Sequence, residues 1–74
     1  MRQDYERAVI DLRRALAIDG KHYKALAELG DVLKALGDKK GALESYRKAI
    51  EVNPFLDDTR TKVDELSHVD GQDI

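Results

Sequence analysis

Apolar residues recur along this chain at helical spacing, in four blocks separated by short polar breaks. In the first block, residues 4–18, Ala8, Leu12, Ala15 and Leu16 follow i, i+4, i+7, i+8 spacing, and Val9 and Ile18 widen the stripe. Arg7, Asp11, Arg13 and Arg14 take the other side, and Asp4 stands where an N-cap belongs. Asp19-Gly20 breaks this helix, and Asp19 is placed to cap a second that runs to Leu36, with a stripe of Leu26, Leu29, Val32 or Leu33, and Leu36. Gly30 in its middle costs about 1 kcal/mol relative to Ala, so the position calls for a packing reason such as close approach of another helix. Gly37 can take the left-handed conformation that ends a helix, and Asp38 can cap the next. That third helix, residues 39–52, lines up Ala42, Leu43, Tyr46, Ala49 and Ile50. Asn53-Pro54 then reads as N-cap and first helical residue of a fourth helix ending at about Ser67 or His68. Asp57 and Asp58 fall in or near its first turn, where the helix dipole favours negative charge. Its apolar set is thin: Phe55, Leu56, Thr59, Val63 and Leu66. The tail, residues 69–74, is polar and predicted to fray.

The pattern predicts an all-α protein, and the composition agrees. Its single Pro and four of its five Gly fall at or near predicted element ends, among plentiful Ala, Leu, Lys, Glu and Arg. At 74 residues the chain permits one small domain, and a domain of this size buries only about 60% of its unfolded surface. There is no Cys to supply a disulfide or thiolate metal site as a staple. Charge of both signs is interspersed, with a net of −2, which argues against a nucleic-acid or anionic-membrane surface. No apolar run approaches the ~20 residues that a membrane span needs. The default is a cytoplasmic protein.

The chain also repeats itself. At an offset of 34 residues, Asp4 falls on Asp38, Ala8 on Ala42, Arg13 on Arg47 and Ala15 on Ala49. Conservative matches fill the gaps, among them Val9 with Leu43, Leu16 with Ile50 and Asp19 with Asn53. The Ala pairs lie on the apolar face and the Asp and Asn pairs at caps. A 34-residue helix–turn–helix period is the tetratricopeptide spacing. The central window resembles that family through Leu26, Leu29-Gly30, Leu33, Ala42, Tyr46, Ala49 and Pro54, with Gly37-Asp38 at the turn. Leu26 departs from the family's frequent Trp, and Lys39 from an aromatic.

The resemblance implies antiparallel helix pairs stacked as a short superhelix. Residues 1–68 would form one domain: 1–19 the second helix of a partial repeat, 20–53 a complete repeat, and 54–68 a C-terminal capping helix. Arg60 and Asp64 stand where a further repeat would need a large apolar residue and Gly, which suits a cap with a polar outer face. The resemblance further implies a protein–protein interaction scaffold that holds a peptide or partner protein in a groove. The groove side would present Lys24, Ala27, Glu28, Asp31 and Lys34, with Ala35 beside them and Asp58, Lys62 and Glu65 from the last helix. Family members that capture acidic C-terminal peptides hold carboxylates with Lys, Arg and Asn. The matching positions here carry Ala27, Glu28, Asp31 and Asp58, whose negative charge would repel a carboxylate, and Lys24 and Lys62 alone do not rebuild the clamp.

Catalysis, cofactors and metals find no support in the sequence. His22 and His68 read as surface histidines, and Ser45 falls on the exposed side of the third helix with no His in helical reach. The run from Gly37 to Gly41 follows a helix and lacks phosphate-loop spacing. Lys39-Lys40 is too small for a nucleic-acid footprint.

By the repeat register, the chain opens in the second helix of a repeat. Ala8, Leu12, Ala15 and Leu16 then form a stripe lacking its usual partner, and about three repeats are generally needed for a stable array. Two expectations follow: a piece of a longer array, or self-association through that stripe as a homodimer. The alternative to a partner-binding scaffold is accordingly an oligomerisation module, or a fragment with no ligand of its own. The identity of the partner is not legible in the sequence.

Overall fold

The computed structural model describes residues 2–69, with side chains over 4–67, and within that span it is all-α. Four helices follow in order: α1 (Arg2–Ile18), α2 (Tyr23–Ala35), α3 (Lys39–Val52) and α4 (Asp57–Val69). Each packs on its neighbours in sequence, most extensively α2 on α3, with α1 against α2 and α4 against α3.

The α2–α3 pair forms as the sequence predicts. Gly37 has φ of 88°, and it is the one residue with positive φ among those described. The Asp38 N–H donates to the Leu33 carbonyl at 2.8 Å and the Gly37 N–H to that of Lys34 at 3.0 Å, so the last carbonyls of α2 are satisfied by the turn. Asp38 then caps α3, its carboxylate accepting from the Gly41 N–H at 2.9 Å.

The core lies along this pair. Leu26, Leu29 and Leu33 of α2 and Ala42, Tyr46 and Ala49 of α3 are buried, and Leu29, Leu33, Ala42 and Tyr46 cluster with Leu66 of α4. Val9, Leu12 and Leu16 of α1 and Val63 of α4 pack on the same cluster with part of their surface in solvent. The seam is close because its residues are small. A Cβ placed on Gly30 would lie 2.5 Å from Cε1 of Tyr46, so only Gly lets that ring pass.

Several expectations are corrected at the helix ends. The first helix begins at Arg2, leaving Asp4 inside its first turn rather than capping it. The second begins at Tyr23, three residues later than the Asp19-Gly20 break suggests. Its cap is His22, whose Nδ1 accepts from the Ala25 N–H at 3.1 Å. Asp19 instead accepts from the Lys21 N–H, closing a short turn. Likewise α4 starts at Asp57, because Asn53 spends its Oδ1 on the Phe55 N–H at 3.1 Å and turns the chain before the helix begins. Phe55 is thereby carried outward to 86% exposure, and Ile18, at the end of α1, to 89%. Neither belongs to the apolar face to which its spacing assigns it. Ser45 is corrected the other way: it is buried against the α1–α3 side. The expected surface placement of the His68 side chain and the fraying of residues 70–74 lie outside the described residues.

Candidate partner-binding groove

The 3.6-residue period that buries Leu26, Leu29 and Leu33 necessarily turns the intervening residues of α2 away from α3. Lys24, Glu28, Asp31 and Lys34 are exposed and Ala27 is half-buried. Four of these, Lys24, Ala27, Glu28 and Asp31, line one shallow depression of about 470 Å³ together with Tyr23 and Leu56. The spacing places Leu56 on the apolar face of the fourth helix and assigns neither Tyr23 nor Leu56 to the groove. Leu56 arrives there from the turn before α4, whose geometry follows from Asn53 rather than from any periodicity. Lys34 lies one turn beyond Asp31 and Lys62 comes from α4, and neither lines the depression.

Asp31 and Lys62 meet. The Lys62 Nζ donates to Asp31 Oδ1 at 2.8 Å, with the two side chains 35% and 50% exposed respectively. The Tyr46 hydroxyl donates to the same carboxylate oxygen, and the Lys62 Nζ lies 5.6 Å from the centre of the Tyr46 ring. One carboxylate therefore ties together α2, α3 and α4. Burial pushes the Asp31 carboxyl upward, but the hydrogen bonds from Lys62 and Tyr46 and the charges of Lys62 and Lys34 outweigh it, leaving its pKa below the usual value. The Tyr46 phenol is pushed well above its ordinary range, by burial first and then by its bond to Asp31 and that group's charge. A buried phenol on an otherwise apolar helix face must find a partner. That rule was the available signal in the sequence, though it does not say which residue answers.

The remaining groove charges differ in kind. The side chains of Lys24, Glu28 and Lys34 make no hydrogen bond or ion pair among the described residues, and all three residues are exposed. With Asp31 and Lys62 paired, the depression is lined by charges of both signs, Lys24 and Glu28, beside Tyr23, Ala27 and Leu56.

On α1, Ala8, Leu12, Ala15 and Leu16 are all half-buried. Leu12 and Leu16 rest on the core, so the stripe is partly covered within the chain itself. A second cleft, of about 380 Å³, opens between α1 and α3 over Leu26, Leu29 and Leu33, with Arg13 and Lys48 among its rim residues. Among the described residues no helix is long and apolar enough to cross a membrane.

Comparison with known proteins falls on the same elements. The family model for the tetratricopeptide repeat matches residues 23–56, from the first residue of α2 to the groove residue Leu56. Human tetratricopeptide repeat protein 12 is 39% identical over 54 residues, which make up 73% of this chain and 8% of that protein. The chain thus spans a small part of that relative's length. The Gly30 seam, the Gly37 turn and the Tyr46 packing lie inside the matched window, and residues 23–56 are a tetratricopeptide repeat.

Proposed function

We propose that this chain is a protein-interaction scaffold that holds a peptide or partner protein along the outer side of α2 and α4. One observation carries the reading: Lys24, Ala27, Glu28 and Asp31 line a single depression together with Tyr23 and Leu56. The proposed contact set is Lys24, Ala27, Glu28, Asp31, Lys34 and Lys62, to which Tyr23 and Leu56 are now added. The reading includes a non-catalytic, cytoplasmic protein, in keeping with a family of interaction repeats. In the same reading α1 is the second helix of a partial repeat, residues 20–53 a complete one and α4 a terminating helix. The exposed Arg60 and Asp64 on the outer face of α4 support that last role.

Selection from a random peptide display library, followed by amide-shift mapping, tests the groove. Enriched peptides should shift Lys24 and Glu28 and lose binding in Ala27→Arg. Peptides that shift only α1 or the α1–α3 cleft would sink the reading.

A second reading is favoured by the half-buried state of Ala8, Leu12, Ala15 and Leu16, which leaves apolar area for a second copy to cover. Tyr5, 41% exposed, and Ile10, 53% exposed, add to the apolar surface of the same helix. Sedimentation checks it: concentration-dependent dimerisation abolished by Leu12→Asp supports self-association, and a folded monomer at high micromolar concentration removes it.

A further inference from the structure

The three partners at Asp31 are held with very different firmness. Tyr46 is fully buried, and its ring is wedged against Gly30 so closely that a Cβ there would come within 2.5 Å. Its hydroxyl donates to Asp31 from the protein side and fixes the carboxylate. Lys62 reaches the same oxygen from α4 on a long flexible stem, and both it and Asp31 keep a substantial share of their side-chain surface in solvent. What Lys62 occupies is a carboxylate oxygen with an aromatic ring beside it, 5.6 Å from the ring centre to the ammonium nitrogen. A carboxylate with a neighbouring ring is a favourable setting for an organic cation, through a charge-assisted hydrogen bond and attraction to the ring quadrupole.

We infer that Asp31 and Tyr46 form a subsite for an ammonium or guanidinium group of a partner peptide, filled in the free chain by Lys62. The inference rests on the groove reading above and adds to it the chemistry of the ligand. The adjoining depression supplies what an incoming Lys or Arg side chain needs. Tyr23, Ala27 and Leu56 offer apolar surface for its stem, and Glu28 offers a second carboxylate that makes no hydrogen bond or ion pair among the described residues. Lys24 and Lys34 flank the site on α2, and Lys34 is near enough to act on Asp31. They disfavour a run of basic residues, so the fitting ligand carries one cation among apolar and acidic neighbours. Lys62 competes from within the chain, and the apparent affinity of any ligand falls by the fraction of time that the subsite is occupied.

The test uses n-butylguanidinium and n-butylammonium as probes, followed by the carboxyl carbon resonance of Asp31 and the ring resonances of Tyr46. Lys62→Met keeps the stem and removes the charge. It should bind n-butylguanidinium on the order of tenfold more tightly than wild type, since the internal competitor is gone. Adding Asp31→Asn, which retains an acceptor for Tyr46, should abolish that gain. Lys62→Gln provides a second neutral variant, with circular dichroism to verify folding. Equal affinity in wild type and both neutral variants overturns the inference, as does a gain that survives Asp31→Asn. Binding of n-butyrate to wild type through Lys62, with no response to the cations in either neutral variant, also overturns it. Cation binding in Lys62→Met without any groove-directed peptide from the display selection upholds the subsite and sinks the broader groove reading. The converse outcome sinks the subsite alone.

Discussion

The hydroxyl of Tyr46 donates to the carboxylate of Asp31, joining the fully buried ring of α3 to an exposed position on α2. The contact makes the repeat's core and its groove one structure. The ring packs the seam, and its polar end holds the carboxylate on the exposed side of α2.

Tyr46→Phe isolates the polar part of that arrangement. The ring remains and Asp31 keeps Lys62, so the loss is one hydrogen bond to a charged acceptor, about 1.5–3 kcal/mol. Urea denaturation followed by circular dichroism should give a lower midpoint with an unchanged slope. Tyr46→Ala, which also empties the seam, should cost about 3–5 kcal/mol and leave little folded protein.

Gly30→Ala sets helix propensity against packing. Ala gains about 1 kcal/mol in the middle of a helix. Its methyl carbon, however, would lie 2.5 Å from a ring that is itself fully buried. Overpacking of that kind costs about 1–3 kcal/mol, so net destabilisation is expected in the same denaturation measurement. Combining it with Tyr46→Leu should relieve the clash, and a stability below that of Tyr46→Leu alone would count against this account of Gly30.

Stability should fall at both extremes of pH for opposite reasons at the two ends of one hydrogen bond. Asp31 has a folded pKa below its ordinary 3.8, so its contribution is present above that value and lost as pH falls through the folded pKa. Tyr46 has a folded pKa raised above its ordinary 10.0, so its contribution is complete below pH 10 and lost as pH rises beyond it. Thermal melts across pH should show the acid limb reduced in Asp31→Asn and the alkaline limb reduced in Tyr46→Phe. Unchanged limbs in both variants would place the titration elsewhere.

The helix caps offer a direct comparison. Asp38→Ala removes the acceptor for the Gly41 N–H, and His22→Ala the acceptor for that of Ala25. Each should cost about 1 kcal/mol. Asp19→Ala should cost less, because Asp19 serves only an exposed turn at Lys21. Equal losses at Asp19 and His22 in thermal melts would contradict the observed start of α2.

The legible part of this protein is the part built on local chemistry and short periods. The third helix over Lys39–Val52, the Gly37 turn, the Asp38 cap and the small-residue seam of Gly30, Ala42 and Ala49 follow from spacing, conformational freedom and size. Those are properties of residues a few positions apart. The 34-residue offset adds the register between helices, because repeated units bury the same faces. The solvent-facing side of α2 follows as well, as whatever the apolar stripe leaves outside.

Where short polar side chains compete for backbone N–H groups, the sequence offers alternatives that only the fold resolves. Asp19 and His22 are both able to start α2, and Asn53 could cap α4 or close a turn. The choice goes to the geometry that lets the helix reach its partner, and it carries Ile18 and Phe55 out of the core and Leu56 to the groove. The charges are decided later still. Asp31, Tyr46 and Lys62 lie 15 and 16 residues apart along the chain, and no period links them. The Gly30 seam brings the phenol under Asp31, and the docking of α4 brings Lys62 over it. Sequence alone determined which face of this repeat meets solvent. Tertiary packing determined which charges on that face are already spent on one another, since an ion pair depends on distances that only the assembled helices set.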